Sequence, residues 1–324
     1  RDGIPIAFCI NPGNKNEQQS LIPLEETLIN KFDLSKFIVC TDAGLSSNTN
    51  RVFNDYSTEN NVRAFITTQS VKKLKKVYKD WALSPEGWSL SGEAAQKKYH
   101  LNELDEDTDF DKIYYKCRWI KEKVTVEING ATKKVELEQQ LIITYSIKYR
   151  NYLRTIRAGQ IDRALKAVSE GGQTVEKKRQ NDPKRFIKAD HAKDGEVADQ
   201  TMYYVDEKAI AEEEMFDGFY AVCTNLADSP EAIVKVNQRR WEIEECFRIM
   251  KSEFQARPVY LKRKERIIAH FITCFISLII YRYLEKKLKD RYTCDQLIDT
   301  LQEMNFIKHE GMGYQPTYTR TEIT

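Results

Sequence analysis

The sequence predicts an α/β core interrupted by a mainly β insertion, and three patterns carry that prediction. Near both ends of the chain, short apolar runs alternate with amphipathic helical stretches, as in a sheet flanked by helices. Between them lies a charge-rich stretch organised around Asn129-Gly130, the strongest short cue for a β-hairpin. After it, an apolar strand pattern again leads into helix.

Residues 4–10 are apolar and stop at Asn11-Pro12-Gly13-Asn14, which reads as a strand followed by a turn. Leu21, Leu24, Leu28 and Phe32 recur at spacings of three and four, predicting a helix over residues 16–32. Residues 36–41 form a short apolar run of the kind seen in strands covered on both faces. That run ends at Asp42-Ala43-Gly44. A helix over residues 49–60, a strand over 63–68 and a basic amphipathic helix over 71–82 follow. Ser84-Pro85-Glu86-Gly87 then breaks the pattern, which closes the first part of the core at residues 1–84.

Residues 85–216 make the expected insertion, mainly β with one helix. Its hairpin arms, 112–127 and 133–149, flank Asn129-Gly130. A helix over 149–170 should stop at Gly171-Gly172, and the polar stretch 176–199 reads as a mobile loop. The second part of the core, 217–310, opens with a strand over 218–224. Asp228-Ser229-Pro230-Glu231 is a helix start with proline in the first turn, and one long helix is expected from there to about residue 254. An apolar helix over 267–284 follows, then an irregular polar tail over 311–324.

Of 324 residues, 41% are apolar and 31% charged, ordinary for a globular protein with a real core. Basic and acidic residues number 51 and 49, a net charge of +2, which neither requires nor excludes nucleic acid. The seven cysteines are odd in number and show no CxxC spacing. Reduced, buried thiols in a cytoplasmic protein are therefore expected, rather than disulfides or zinc. The chain shows no secretory signal and begins at Arg1 inside a strand pattern, so it reads as a fragment. Residues 267–281 lack Asp, Glu, Lys and Arg, but fifteen residues are too few for a membrane span; a buried core helix is expected and no membrane partner.

The chemistry centres on Arg240, Glu244 and Lys251. On a helix, Glu244 lies about 40° and Lys251 about 20° from Arg240, so the three share a face. Ile243, Phe247, Met250 and Phe254 form an apolar stripe beside them, which would place Glu244 at the margin of a buried face. Bases flanking a carboxylate in this way suit phosphate oxygens beside a bound metal ion. By spacing alone, Arg240–Glu244 and Glu244–Arg248 are equally ordinary i,i+4 ion pairs, and Asp42 is equally a turn-capping Asp.

The string Arg240-Trp-Glu-Ile-Glu244-Glu-Cys-Phe-Arg-Ile-Met-Lys251 is similar to the signature Y-x2-R-x3-E-x6-K of bacterial insertion-sequence transposases in the DDE superfamily. Asn237 stands at the tyrosine position. Residues 218–226 (GFYAVCTNL) and 3–18 (GIPIAFCINPGNKNEQ) also resemble that family. The resemblance implies a ribonuclease-H-like core. It also implies a site in which Asp42 is the second acid of the triad and Glu244 the third, both metal ligands. Arg240, Lys251 and Arg248 would hold DNA.

The implied cofactor is a pair of Mg2+ or Mn2+ ions, and the implied partner is double-stranded DNA at transposon ends and target, bound by a homodimer. The first acid is expected upstream of Arg1. Asp2 is a poor substitute, because too little chain separates it from Asp42. Three basic stretches could track phosphates: Lys72 to Lys76, the Arg150/Arg154/Arg157 series, and Lys262-Arg263-Lys264, with Tyr149, Tyr152 and Trp119 interleaved. Two rival functions stay open, a DNA-binding protein without catalysis and a general ribonuclease-H-like nuclease.

Overall fold

The protein is described from a computed structural model, which covers residues 3–93, 97–128, 130–170, 182–191, 201–289 and 291–319. In chain order the elements are α1 (Leu21–Phe32), β1 (Lys36–Thr41), α2 (Asn48–Phe53), β2 (Tyr56–Ser57), β3 (Val62–Gln69), α3 (Lys76–Leu83) and β4 (Ser89–Leu90). The hairpin β5 (Tyr114–Ile128) and β6 (Ala131–Tyr145) leads to α4 (Ile147–Ser169), β7 (Ile187–His191) and β8 (Thr201–Val205). Then come α5 (Glu207–Glu214), β9 (Phe219–Thr224), α6 (Pro230–Gln238), α7 (Trp241–Ser252), α8 (Lys264–Lys287) and α9 (Cys294–Glu303). A short hairpin, β10 (Phe306–His309) and β11 (Gly313–Pro316), follows. The fold is mixed α/β around a central sheet. The chain divides into two units, Phe32–Asn237 and Arg1–Lys31 with Gln238–Thr324.

The first unit is built on a seven-stranded sheet ordered β1-β3-β9-β6-β5-β4, with β2 on the side of β3. β1 and β3 run parallel, while β9 is antiparallel to both β3 and β6. The hairpin closes where expected, with Ile128 opposite Ala131 and Gly130 at φ 75°. That left-handed conformation is what asparagine-glycine turns provide.

Alternation along the central strands sends successive side chains to opposite faces. Phe65, Leu141, Ile143, Ala221 and Cys223 join one core with Trp88, Tyr114 and Ala82. Their neighbours Ile66, Ile142 and Val222 join another, with Ile233 and Val234 of α6. A smaller core of Ala164, Phe186 and Ile187 lies where α4 meets the β7–β8 hairpin.

The second unit is mostly helical. Cys246 and Ile249 of α7, Leu278 and Tyr281 of α8, and Cys294 and Leu297 of α9 form its core. Thr293 and Gln296 make a reciprocal cap at the start of α9. Near the N-terminus, the carbonyl of Gly3 accepts from Arg282 Nε at 3.3 Å and Cys246 Sγ at 3.6 Å, and Phe8 stacks on Phe275.

Several expectations are corrected. Residues 4–10 are not a strand; no backbone partner engages them among the described residues, and Ile6 is 71% exposed. β1 matches its predicted span but is an edge strand of its sheet, half-exposed rather than covered on both faces. The helix expected over 49–60 ends at Phe53, where the amide of Asn54 closes the last turn on Asn50 and Arg51. The basic helix over 71–82 is a 3-10 turn, Val71–Lys73, followed by α3.

The hairpin assigned to the insertion is part of the central sheet itself, paired to β9 through β6. In the stretch 176–199 the described part has regular structure: Pro183–Phe186 is a 3-10 turn and Ile187–His191 pairs with β8. Residues 176–181, 192–199 and the Gly171-Gly172 stop lie outside the described residues. The long helix over 230–254 is two helices, α6 and α7, separated at Arg239 and Arg240. α8 extends to 24 residues and is long and apolar enough to cross a membrane, a test that core helices of soluble proteins also pass. It is not fully buried: Leu278 and Tyr281 face the core, whereas Ile276, Ile280 and Tyr283 are exposed. Within the tail expected to be irregular, Gly313–Pro316 is a strand, β11, paired with β10. None of the seven cysteines is in a disulfide, but Cys9 and Cys117 are exposed rather than buried.

Candidate active site

Asp42 lies in the first unit, immediately after β1. Its Oδ1 accepts the amides of Gly44 at 2.9 Å and Leu45 at 3.1 Å, the turn-capping geometry open to any Asp at a strand end. The side chain is nevertheless exposed, and among the described residues no hydrogen bond engages Oδ2. One carboxylate oxygen is therefore fixed by the backbone and the other is available.

The loop beneath it is held from several sides. Thr67 Oγ1 donates to the Asp42 carbonyl at 3.3 Å. Asn50 Nδ2 donates to Leu45 O at 2.8 Å, and Arg51 Nε to Ser46 O at 3.2 Å. Ser47 caps α2 through Asn50 N. The sequence reading did not single out Asn50 or Arg51; their signal was a polar pair on a short helix just after the acid.

Glu244 lies in the second unit, in the first turn of α7. The Arg240 carbonyl accepts the amides of Ile243 and Glu244, so the helix begins on Arg240. Arg240 Nη2 donates to Glu244 Oε1 at 2.8 Å. Of the two ion pairs read from spacing, this one forms. The Glu244–Arg248 pair does not, because Arg248 binds Glu245 at 2.8 and 3.0 Å and Glu253 at 3.1 Å. Hydrogen bonding to Glu245 holds the Arg248 guanidinium above its ordinary pKa.

Glu244 is not at the margin of the buried face. The buried line of α7 is Cys246 and Ile249, and Ile249 lies about 180° round the helix from Arg240. The side carrying Arg240, Glu244 and Lys251 faces outward with Trp241, Ile243 and Phe247, each more than half exposed. Lys251 is exposed, its ammonium 5.8 Å from the Phe247 ring centre, and no carboxylate pairs with it among the described residues.

Asn237, at the tyrosine position of the signature, is buried. Its Nδ2 donates to the Tyr220 hydroxyl at 2.8 Å, and that hydroxyl also meets Thr68 Oγ1 at 2.7 Å.

Two of the three basic stretches are engaged in ion pairs. Lys72, Lys75 and Lys76 bind Glu213, Glu122 and Asp80. Arg150 binds Glu106, while Arg154 and Arg157 converge on buried Asp217. The arginine series therefore anchors α4 rather than forming an open phosphate track. Tyr152 and Trp119 are exposed beside these elements. Lys262, Arg263 and Lys264 remain exposed at the start of α8, with no ion-pair partner among the described residues. Asp2 lies outside the described residues.

Among the described residues, no three His, Cys, Asp or Glu side chains form a group that could hold a metal ion. Asp42 and Glu244 each offer a free, hard carboxylate oxygen, the donor type that Mg2+ and Mn2+ take. No curated protein and no solved structure matches the chain. Residues 132–280 match the family model described as Transposase DDE domain. That stretch contains all but the first residue of β6, together with β9 and α7 with Arg240, Glu244 and Lys251; it is similar to the DDE domain of transposases.

Proposed function

We propose that this chain carries catalytic machinery of a DDE transposase of the insertion-sequence group with the Y-R-E-K signature, cutting and joining DNA at element ends. The observation that carries the reading is the match to a transposase DDE domain over residues 132–280, with Glu244 outward on α7 between Arg240 and Lys251. A ribonuclease-H-like core, and action as a homodimer on paired ends, belong to the same proposal.

In this reading Asp42 and Glu244 ligate the divalent ions of the site, Mg2+ or Mn2+. When bound, such ions supply Lewis-acid activation of an attacking water or 3′-hydroxyl and charge neutralisation at the leaving oxygen. Asp42 contributes Oδ2 from a carboxylate oriented by two backbone amides. Glu244 contributes its carboxylate from the first helical turn, and Arg240, already on Oε1, orients it. Lys251, two turns further along the same face, holds a DNA phosphate, as does Arg248 where it is not occupied by Glu245 and Glu253.

The rival reading is DNA binding without catalysis. Magnesium-dependent nicking of element-end DNA separates the two. Glu244→Gln is expected to abolish nicking while leaving DNA binding in place. Nicking that survives the substitution removes Glu244 from the site, and no nicking by the unsubstituted protein favours the second reading.

A further inference from the structure

We propose that Arg51 is a positioning residue for Asp42, its buried guanidinium tying the loop that carries the carboxylate to two strands of the sheet. The inference rests on the reading of Asp42 as a divalent-cation ligand.

Arg51 is on α2 and only 7% exposed. Its Nε donates to Ser46 O at 3.2 Å, Nη1 to Gln139 Oε1 on β6 at 3.0 Å, and Nη2 to Gln69 Oε1 on β3 at 2.7 Å. None of these acceptors is charged, and no Asp or Glu forms an ion pair with Arg51 among the described residues. A buried cation without a carboxylate is an expensive way to staple a fold, since apolar residues of similar volume commonly serve as well or better. What the fork provides instead is geometry: three planar donors reach a loop carbonyl and two separate strands at once.

The loop it grips is the one that aims Asp42. From Asp42 to Ser46 the backbone is fixed at successive points: Thr67 on the Asp42 carbonyl, Asp42 Oδ1 on the Gly44 and Leu45 amides, Asn50 on the Leu45 carbonyl and Arg51 on the Ser46 carbonyl. With Oδ1 so engaged, a rotation of the loop would redirect Oδ2. Of these ties, the Arg51 fork is the one that reaches β6, across the sheet from β1. Outer groups that orient a metal ligand typically alter affinity about 10–100-fold when removed.

The test is direct Mn2+ binding by the full chain, followed by electron paramagnetic resonance, with folding checked by circular dichroism. Asp42→Asn is expected to remove the Mn2+ site. Arg51→Met should weaken Mn2+ binding about tenfold while the chain stays folded, and Arg51→Lys should recover part of the loss. Should Arg51→Met not fold, Gln69→Met, which removes one acceptor of the fork, is expected to weaken binding several-fold. Unchanged affinity in a folded Arg51→Met or Gln69→Met, alongside loss in Asp42→Asn, overturns the role of Arg51 alone. Unchanged affinity in Asp42→Asn overturns the reading of Asp42, and the inference with it.

Discussion

Asn237 donates through Nδ2 to the hydroxyl of Tyr220 at 2.8 Å, so the last turn of α6 is tied to β9 by an amide at the position where the signature carries tyrosine. A phenol is present in this network, but β9 supplies it.

Tyr220→Phe should therefore destabilise the first unit. It removes the partner of a buried amide and of Thr68 together, and a buried donor left unsatisfied costs roughly 1–3 kcal/mol. Urea unfolding checks this. A midpoint equal to that of the unsubstituted protein would show that water replaces the phenol without loss.

Lys116 gives a pH dependence of defined sign. Its ammonium is buried, donates to Ser84 O at 2.8 Å and lies 4.6 Å from the Trp88 ring centre. Burial pushes its pKa down from 10.5 to about 8. Below about pH 8 the folded protein must carry this charge in a poorly solvated place, which opposes folding. As the pH rises through the window from about 8 toward 10.5, the folded state sheds the proton while the unfolded state keeps it, and the opposition fades. Relative to Lys116→Met, the unsubstituted protein is expected to gain about 1 kcal/mol of stability between pH 8 and pH 9. Denaturant midpoints of both proteins at the two pH values measure it; a constant difference between them contradicts the shift.

Lys251 and Arg248 should differ as DNA contacts. Lys251 has no carboxylate partner among the described residues, whereas Arg248 is bound by Glu245 and Glu253. Lys251→Ala is expected to reduce the slope of log K against log salt by about 1, as loss of one phosphate contact does. Arg248→Ala should change it less. Equal slopes for the two variants would mean that Arg248 leaves its carboxylates when DNA binds.

The strands were legible where one short-range signal sufficed. The Asn129-Gly130 turn and the run ending in Asp42 put β5, β6 and β1 within a few residues of their places. Sheet membership was not legible, because pairing of β6 with β9 joins residues about eighty positions apart and leaves no local trace. The break between α6 and α7 contains neither glycine nor proline, so nothing in residues 230–254 announced it. Spacing grouped Arg240, Glu244 and Lys251 on one face. It could not tell which way the face points, since Ile243 and Phe247 read as buried and are exposed. Arg51 was missed because its partners, Gln69 and Gln139, are remote in sequence and chemically unremarkable until the strands bring them together.

β9 is the strand on which assembly of the sheet waits. Thr224 faces Ile66 of β3 on one side and Gln140 of β6 on the other. Until residues 219–224 have left the ribosome, β3 and β6 have no strand between them, and each presents a row of unpaired amides and carbonyls. Exposed edges of this kind invite pairing with other chains, and long-range strand closure is slow. A nascent chain halted before Phe219 would thus hold two incomplete sheet fragments, a state more suited to chaperone capture or clumping than to function.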